Sequence, residues 1–382
     1  EWNSTADGVH KQKLAVILVD KLYEFYGGNG IKHFGQGKQY PGESLPRWQY
    51  GVYWRKDGNK IWRNKELFAS FDAKGNADTE DLKNFAQTIA EVMNLEKESI
   101  IPAYEDAFYY AWEENKLPHD KDPLKSDLKD SLERRALMEV LHHGLANPVG
   151  YIIPIHFNYQ IEEWETGEWN LKRKELYLIP GNSKIGYRLP LSSLPDNTEI
   201  HQFERDPFTP ADKLKAFEER SILSKKKKNH RKDITIKTAL CLEIVNGNVY
   251  VFLPPQTKIE AYLELVEFIH SVSEKLKMPI LLGGYEAPYD NRIEKILVTP
   301  DPGVIEVNIP PLKNWTEIST TIHGIYDLAK KSRLGAEKFM LDGRHTGSGG
   351  GNHITLGGIS PADSPFIRRP SLLRSMITFW QH

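Results

Sequence analysis

Three ionisable side chains stand where apolar residues would ordinarily be expected. Glu243 interrupts Ala239-Leu240-Cys241-Leu242-Glu243-Ile244-Val245, and Glu306 interrupts Val304-Ile305-Glu306-Val307. His353 opens an apolar run just after a glycine-rich stretch, in Gly351-Asn352-His353-Ile354-Thr355. An unpaired charge within a core strand is costly, so each of these residues calls for a cation or a hydrogen-bonded partner. Glu306 and Asn308 are two apart in a strand and therefore share a sheet face. A face carrying oxygen ligands from several strands suits Mg²⁺, which takes carboxylates together with phosphate oxygens and water. Glu243, Glu306 and His353 are accordingly the candidate metal ligands. Taken singly, each has an ordinary alternative: a solvent-facing strand position for the glutamates and a structural role for the histidine.

The second chemical signal is the run His345-Thr346-Gly347-Ser348-Gly349-Gly350-Gly351-Asn352-His353. Its glycines permit positive φ and bring backbone N–H groups close to an anion. Lys338 and Arg344 lie just upstream and would neutralise phosphate charge. Lys338, Gly347, Ser348, Gly349, Gly350 and Asn352 are therefore candidate phosphate contacts. The run is not a Walker A loop, because no Gly-Lys-Ser/Thr follows, and no long helix opens after it as in a dinucleotide fingerprint. Gly-x-Ser-x-Gly and His-Glu-x-x-His are absent from the chain.

The elements that must hold these residues divide the chain unevenly. Helical spacing marks Val9 to Tyr26, Asp78 to Asn94, Ile259–Leu276, Trp315–Leu334 and a stretch from about Pro370 to Trp380. Asp57-Gly58 predicts a hairpin joining Trp48–Arg55 to Lys60–Arg63, and Asn246-Gly247 predicts another joining Ile234–Val245 to Asn248–Leu253. Strands are also expected at Val149–Phe157, Glu175–Ile179, Gly186–Leu189, Pro279–Leu282, Ile293–Val298, Val304–Ile309 and His353–Leu356. Helices do not alternate one-for-one with strands. That predicts an α+β fold with a mixed or antiparallel sheet and helices packed on one face. A polar, basic stretch at 195–233 divides an N-terminal α+β part, 1–194, from a C-terminal part, 234–382, that carries the candidate site.

Composition narrows the function classes. Over 382 residues the formal net charge is -2, so no global basic field points to nucleic acid. The only cysteine, Cys241, excludes an intrachain disulfide framework and fits a cytoplasmic setting. No apolar run approaches the roughly 20 residues that span a bilayer.

Longer blocks carry a resemblance. Gly35-Gln36-Gly37-Lys38, Tyr40-Pro41-Gly42-Glu43-Ser44-Leu45-Pro46-Arg47-Trp48, Ile101-Pro102-Ala103-Tyr104-Glu105-Asp106 and Thr299-Pro300-Asp301-Pro302-Gly303-Val304-Ile305-Glu306-Val307-Asn308 are similar to a bacterial amidoligase family of otherwise unknown function. So are Phe339-Met340-Leu341-Asp342-Gly343-Arg344-His345-Thr346-Gly347 and Ser360-Pro361-Ala362-Asp363-Ser364-Pro365-Phe366-Ile367-Arg368-Arg369-Pro370. The resemblance implies the glutamine-synthetase-like fold of carboxylate–amine ligases, built on a curved, mostly antiparallel sheet. It also implies ATP and Mg²⁺ as cofactors, small-molecule or peptide carboxylates and amines as substrates, and a transglutaminase-like domain as partner in a longer polypeptide. Glu306 looks like a metal-binding strand glutamate of such enzymes, and Gly349-Gly350-Gly351-Asn352-His353 like their histidine-presenting loop. Thr355 stands where a second histidine is expected.

On this reading ATP activates a carboxylate as an acyl phosphate and an amine displaces the phosphate. Arg344, His345 and Arg368 are the expected catalytic side chains, Arg344 at the transferring phosphate and Arg368 or Arg369 on a substrate carboxylate. The family pattern is expected to continue beyond His382, leaving the sheet truncated at the C-terminus. The alternative is a non-catalytic domain that presents peptide or protein substrate to a transglutaminase-like enzyme.

Overall fold

The computed structural model describes residues 6–43, 46–115, 144–171, 174–196, 212–216, 230–231, 235–347, 353–358 and 361–382. The strands are β1 (Ile31–Gln36), β2 (Trp48–Arg55), β3 (Ile101–Tyr104), β4 (Gly150–Asn158), β5 (Glu163–Gly167), β6 (Leu176–Tyr177), β7 (His230–Arg231), β8 (Ala239–Val245), β9 (Asn248–Leu253), β10 (Ile280–Gly284), β11 (Ile293–Asp301), β12 (Val304–Asn308), β13 (Lys338–Phe339) and β14 (His345–Thr346). The helices are α1 (Val9–Leu22), α2 (Thr79–Val92), α3 (Ala107–Asn115), α4 (Ile259–Leu276), α5 (Trp315–Lys331), α6 (Pro365–Arg368) and α7 (Pro370–Gln381).

Twelve strands form one open mixed sheet whose main path runs β12-β11-β2-β1-β10-β9-β8-β4-β3-β6. Most pairs are antiparallel. The pairs β1–β10, β9–β10, β3–β6 and β5–β7 are parallel. The fold is α+β with a largely antiparallel sheet, as the element pattern predicts. Strands from 1–194 and from 234–382 interleave, with β1 and β2 lying between β10 and β11. The polar stretch thus separates two parts of the sequence that share one sheet. Much of that stretch lies outside the described residues.

Local chemistry explains several elements. Asp78 caps α2 with its carboxylate on the Glu80 and Asp81 amides, and Asp81 reaches back to the Asp78 amide. Asn246 and Gly247 both have positive φ, 51° and 72°, which two-residue hairpins of the favoured hand require, and they join β8 to β9. The Asp57-Gly58 turn forms with Gly58 at φ 75°, but residues 60–63 do not pair with β2. Both edges of β2 are occupied, by β1 and by β11. Residues 186–189 are likewise not a strand. A 3-10 turn at Ile185–Tyr187 replaces it. His353–Leu356 forms no strand either.

The register assigns the faces. Glu243 pairs with Tyr250, Tyr250 with Leu281, and Gly283, on Leu281's face, with Phe34. Phe34 then pairs with Tyr50, Tyr50 with Val298, and Val298 with Val307. These residues share one side, here the front. Helix α1 lies on it over β2 and β11, where Gln12 donates to the Tyr50 hydroxyl and Asp20 pairs with Lys32 at 2.7 Å. Helices α2 and α4 lie on the back. There Trp164, opposite Phe157, donates its indole N–H to Glu264 of α4 at 2.9 Å. The helices are thus divided between the two faces.

Candidate functional site

Glu243 sits on β8 in the middle of the front face. Two small residues shape the ground around it. Gly150, directly opposite on β4, leaves the space that Ile185 fills. A Cβ there would stand 2.4 Å from Ile185 Cδ1 and 2.3 Å from the Leu242 carbonyl oxygen. Gly186 lies against the Phe252 ring, where a Cβ would sit 2.4 Å from a ring carbon. The 3-10 turn therefore presses onto the sheet, and the Ile185 backbone N–H donates to Glu243 Oε1 at 3.2 Å.

The same turn delivers two cations. Lys184 places its ammonium 4.5 Å from the centre of the Tyr250 ring and 5.9 Å from that of Phe71. Arg188 donates from Nη2 to Glu105 Oε2 at 2.5 Å and from Nε to the Ile179 carbonyl at 2.9 Å. Tyr110 of α3 donates to the same Glu105 oxygen at 3.3 Å. The pair is buried, with side-chain exposures of 9% for Arg188 and 7% for Glu105. It pins the end of β3 to the turn that covers Glu243.

Burial raises the Glu243 carboxyl above its ordinary pKa, and the Glu105 charge adds to the rise. Lys184, the Ile185 N–H and Arg188 pull the other way. Part of the Glu243 residue surface stays open, but its carboxyl is packed deeply enough for desolvation to dominate. Beside it, burial pushes the Tyr250 hydroxyl well up, and this hydroxyl donates to the Phe34 carbonyl at 2.7 Å. The result is a buried carboxyl with raised proton affinity, within electrostatic reach of Lys184 and Arg188.

The expected metal ligands do not converge. Glu306 neighbours Val307 on β12, so its side chain points to the back. Five strands separate β12 from β8, and six inter-strand steps span roughly 29 Å along the sheet. Glu306 instead accepts from Thr299 Oγ1 at 3.4 Å. His353 is exposed in an irregular segment. Among the described residues, no group of three or more His, Cys, Asp or Glu is placed to hold a metal ion. Glu306 cannot join Glu243 in one site, because it lies on the opposite face of the sheet and six strand steps away.

The other expected residues that are described lie in local structures outside the twelve-stranded sheet. Lys338 and His345 belong to the separate two-stranded hairpin β13–β14, with the His345 ring 5.5 Å from that of Phe339. Arg344, next to it, pairs with Asp342 at 2.6 Å and is exposed. Gly347 follows that hairpin, with no neighbour near its Cβ position among the described residues. Arg368 pairs with Asp363 at 2.7 Å. Ser348, Gly349, Gly350 and Asn352 lie outside the described residues. Lys184 and Arg188, whose charges act on Glu243, carry no sequence signal beyond their types, and Glu105 stands out only as part of a block that carries the resemblance. Arg188 reads as part of a short strand.

No helix among the described residues is long and apolar enough to cross a membrane. A family model described as “Putative amidoligase enzyme (DUF2126)” matches residues 1–382. No curated protein and no solved structure gave a match.

Proposed function

The chain belongs to this amidoligase family, and from that premise we propose that it forms amide bonds by joining a carboxylate to an amine at the expense of ATP. The family match over residues 1–382 carries the reading. The front-face group of Glu243, Lys184 and Arg188 supports it, because such a reaction needs fixed positive charge for anionic groups and a base for the amine proton. The γ-phosphoryl group of ATP passes to a carboxylate oxygen, forming the new O–P bond as the bond to the departing ADP oxygen breaks. The amine nitrogen then attacks the acyl carbon. Phosphate leaves with the electrons of the C–O bond, and Glu243 takes the nitrogen's proton.

Lys184 supplies charge to the phosphate or carboxylate. Arg188 holds the turn in place through Glu105. Mg²⁺ accompanies ATP in this reading, but the described residues do not assemble the ligand set expected for it, and no step is assigned to the ion.

The test is hydroxamate formation with hydroxylamine as a generic amine and a panel of amino acids and short peptides as acids, with ADP release followed in parallel. ADP release that requires both the acid and the amine is the expected result. Absence of hydroxamate with every acid overturns the reading. The dispersal of Glu243, Glu306 and His353 is the observation that favours the second reading, a substrate-presenting domain beside a transglutaminase-like enzyme. That reading predicts peptide binding with no ADP release.

A further inference from the structure

The strand β10 ends in a crossing that serves both faces of the sheet. Gly284 has φ 89°, a conformation that L side chains rarely adopt, and a Cβ there would stand 2.5 Å from the Leu253 amide nitrogen. The Tyr285 backbone N–H then donates to the Leu253 carbonyl at 2.9 Å. From this fixed backbone Tyr285 turns to the front and Glu286 to the back.

On the front, the Tyr285 ring stands 5.9 Å from that of Phe252 at 90° and 6.0 Å from that of Tyr187. Tyr187 packs edge-on against Phe252 at 4.8 Å, and burial pushes its hydroxyl up to about 12. Tyr285 nevertheless keeps 45% of its surface exposed. This aromatic wall adjoins the charged group directly. Tyr187 and Lys184 belong to the same short segment. Phe252 and Tyr250 are two residues apart on one face of β9, a separation of roughly 7 Å. A surface with π-faces at one end and a fixed ammonium at the other fits a planar ring joined through a ribose-sized spacer to an anion.

On the back, Glu286 is anchored. Tyr53 donates its hydroxyl to Glu286 Oε2 at 2.8 Å, and Lys295 donates to the same oxygen at 2.9 Å. The Tyr53 ring covers Gly51, where a Cβ would stand 2.5 Å from a ring carbon, and His33 stands edge-on to it at 5.9 Å.

We propose that Tyr285, backed by Tyr187 and Phe252, is the platform on which the base of a nucleotide stacks, and that Glu286 is a positioning residue holding Tyr285 there from the far side of the sheet. The inference rests on the ATP-dependent reading above and adds the residues that recognise the base.

Calorimetric titration of the full chain with ATP and with inorganic triphosphate, each with Mg²⁺, tests it. ATP is expected to bind roughly tenfold tighter than triphosphate, the scale of a single base–aromatic stack. Tyr285→Ala should erase that preference without changing triphosphate affinity, and Tyr285→Phe should keep it. Glu286→Ala, which alters only the back of the sheet, should reduce the preference and again spare triphosphate. Equal binding of ATP and triphosphate by the unmodified chain, or equal weakening of both in Tyr285→Ala, overturns the platform while leaving amide-bond formation standing. An unchanged preference in Glu286→Ala overturns the positioning role. Binding of neither ligand overturns the platform and the nucleotide-dependent reading together.

Discussion

Arg188 and Glu105 meet at 2.5 Å across 83 positions of sequence, both nearly out of reach of solvent. Their pairing is the joint between the strand end at Tyr104 and the turn that presses on Glu243. Removing one partner leaves a buried charge without compensation. Glu105→Ala should therefore cost about 3 to 5 kcal/mol in urea unfolding. Replacing both, as Glu105→Leu with Arg188→Met, should return most of that loss. A double variant as unstable as the single would show that the pair's hydrogen bonds, and not the stranded charge, set the cost.

Glu243→Gln keeps the size and removes the base. Hydroxamate formation should fall by at least about a hundredfold, the low end for loss of a proton-transferring side chain. Unfolding stability at neutral pH should hold or rise. Burial raises this carboxyl, so the folded chain retains its proton more readily than the unfolded chain, and the charge opposes folding as pH rises. Glu306→Gln, on the opposite face, should leave turnover within about a factor of two by the same logic of distance. A severe loss of turnover in Glu306→Gln would contradict the front-face assignment.

Acid should weaken the fold through His33. Its ring is buried on the back face, and among the described residues neither ring nitrogen completes a hydrogen bond. Burial lowers its pKa to about 4, although Glu286 and the nearby Tyr285 and Gly283 carbonyls favour the protonated ring and Lys295 opposes it. In the unfolded chain a histidine titrates near 6.5. Above that value the ring is neutral in both states. Between about 6.5 and 4 the unfolded chain binds a proton that the folded chain does not, so stability falls as pH falls. The full loss is roughly 3 kcal/mol. His270, also lowered to about 4 by burial and by Arg63, adds to the same slope. Stability measured from pH 7 to pH 4 should therefore decline less steeply in His33→Phe than in the unmodified chain. Parallel curves would remove His33 as a cause.

Gly150→Ala should act on the site through packing alone. The new methyl collides with Ile185 and with the Leu242 carbonyl, and overpacking of this kind costs about 1 to 3 kcal/mol. Because Ile185 must retreat, its hydrogen bond to Glu243 lengthens or breaks. The variant should lose turnover even at temperatures where it stays folded, as checked by circular dichroism alongside the hydroxamate assay. Full turnover in a folded Gly150→Ala protein would argue that the turn's contact with Glu243 is dispensable.

Much of the local structure is legible in the sequence, since Asn246-Gly247, the Asp78 cap and the apolar spacing of α4 act over a few residues. The strand position of Glu243 is equally legible, because the apolar run around it is short and bounded by a turn. The face of Glu306 is a different matter. It depends on the register of every strand between β8 and β12, and a shift of one residue in any pair would invert the answer. Glu105, Lys184 and Arg188 escape for a related reason. Their types are ordinary, and only the pairing of β3, β4 and β8 brings their segments to one place. The Asp57-Gly58 turn is real, but a turn alone cannot specify a partner for β2 when β1, just before it, and the distant β11 take its two edges.

The insertion of β1 and β2 between β10 and β11 has a kinetic side. Tyr250 and Phe34, joined by one hydrogen bond, stand 216 positions apart, and the sheet's centre is built from such distant partners. Loops of that size must close before the central ladder contributes any stability, so this topology belongs with slow folders of high contact order. Until β1 arrives, β10 exposes a bare edge ready to pair with another chain. A chain severed between β6 and β8 would give two pieces that each lack the neighbours of their innermost strands. Co-expressed, they would recover a sheet only by finding each other, which makes the polar stretch a natural place to install a split reporter.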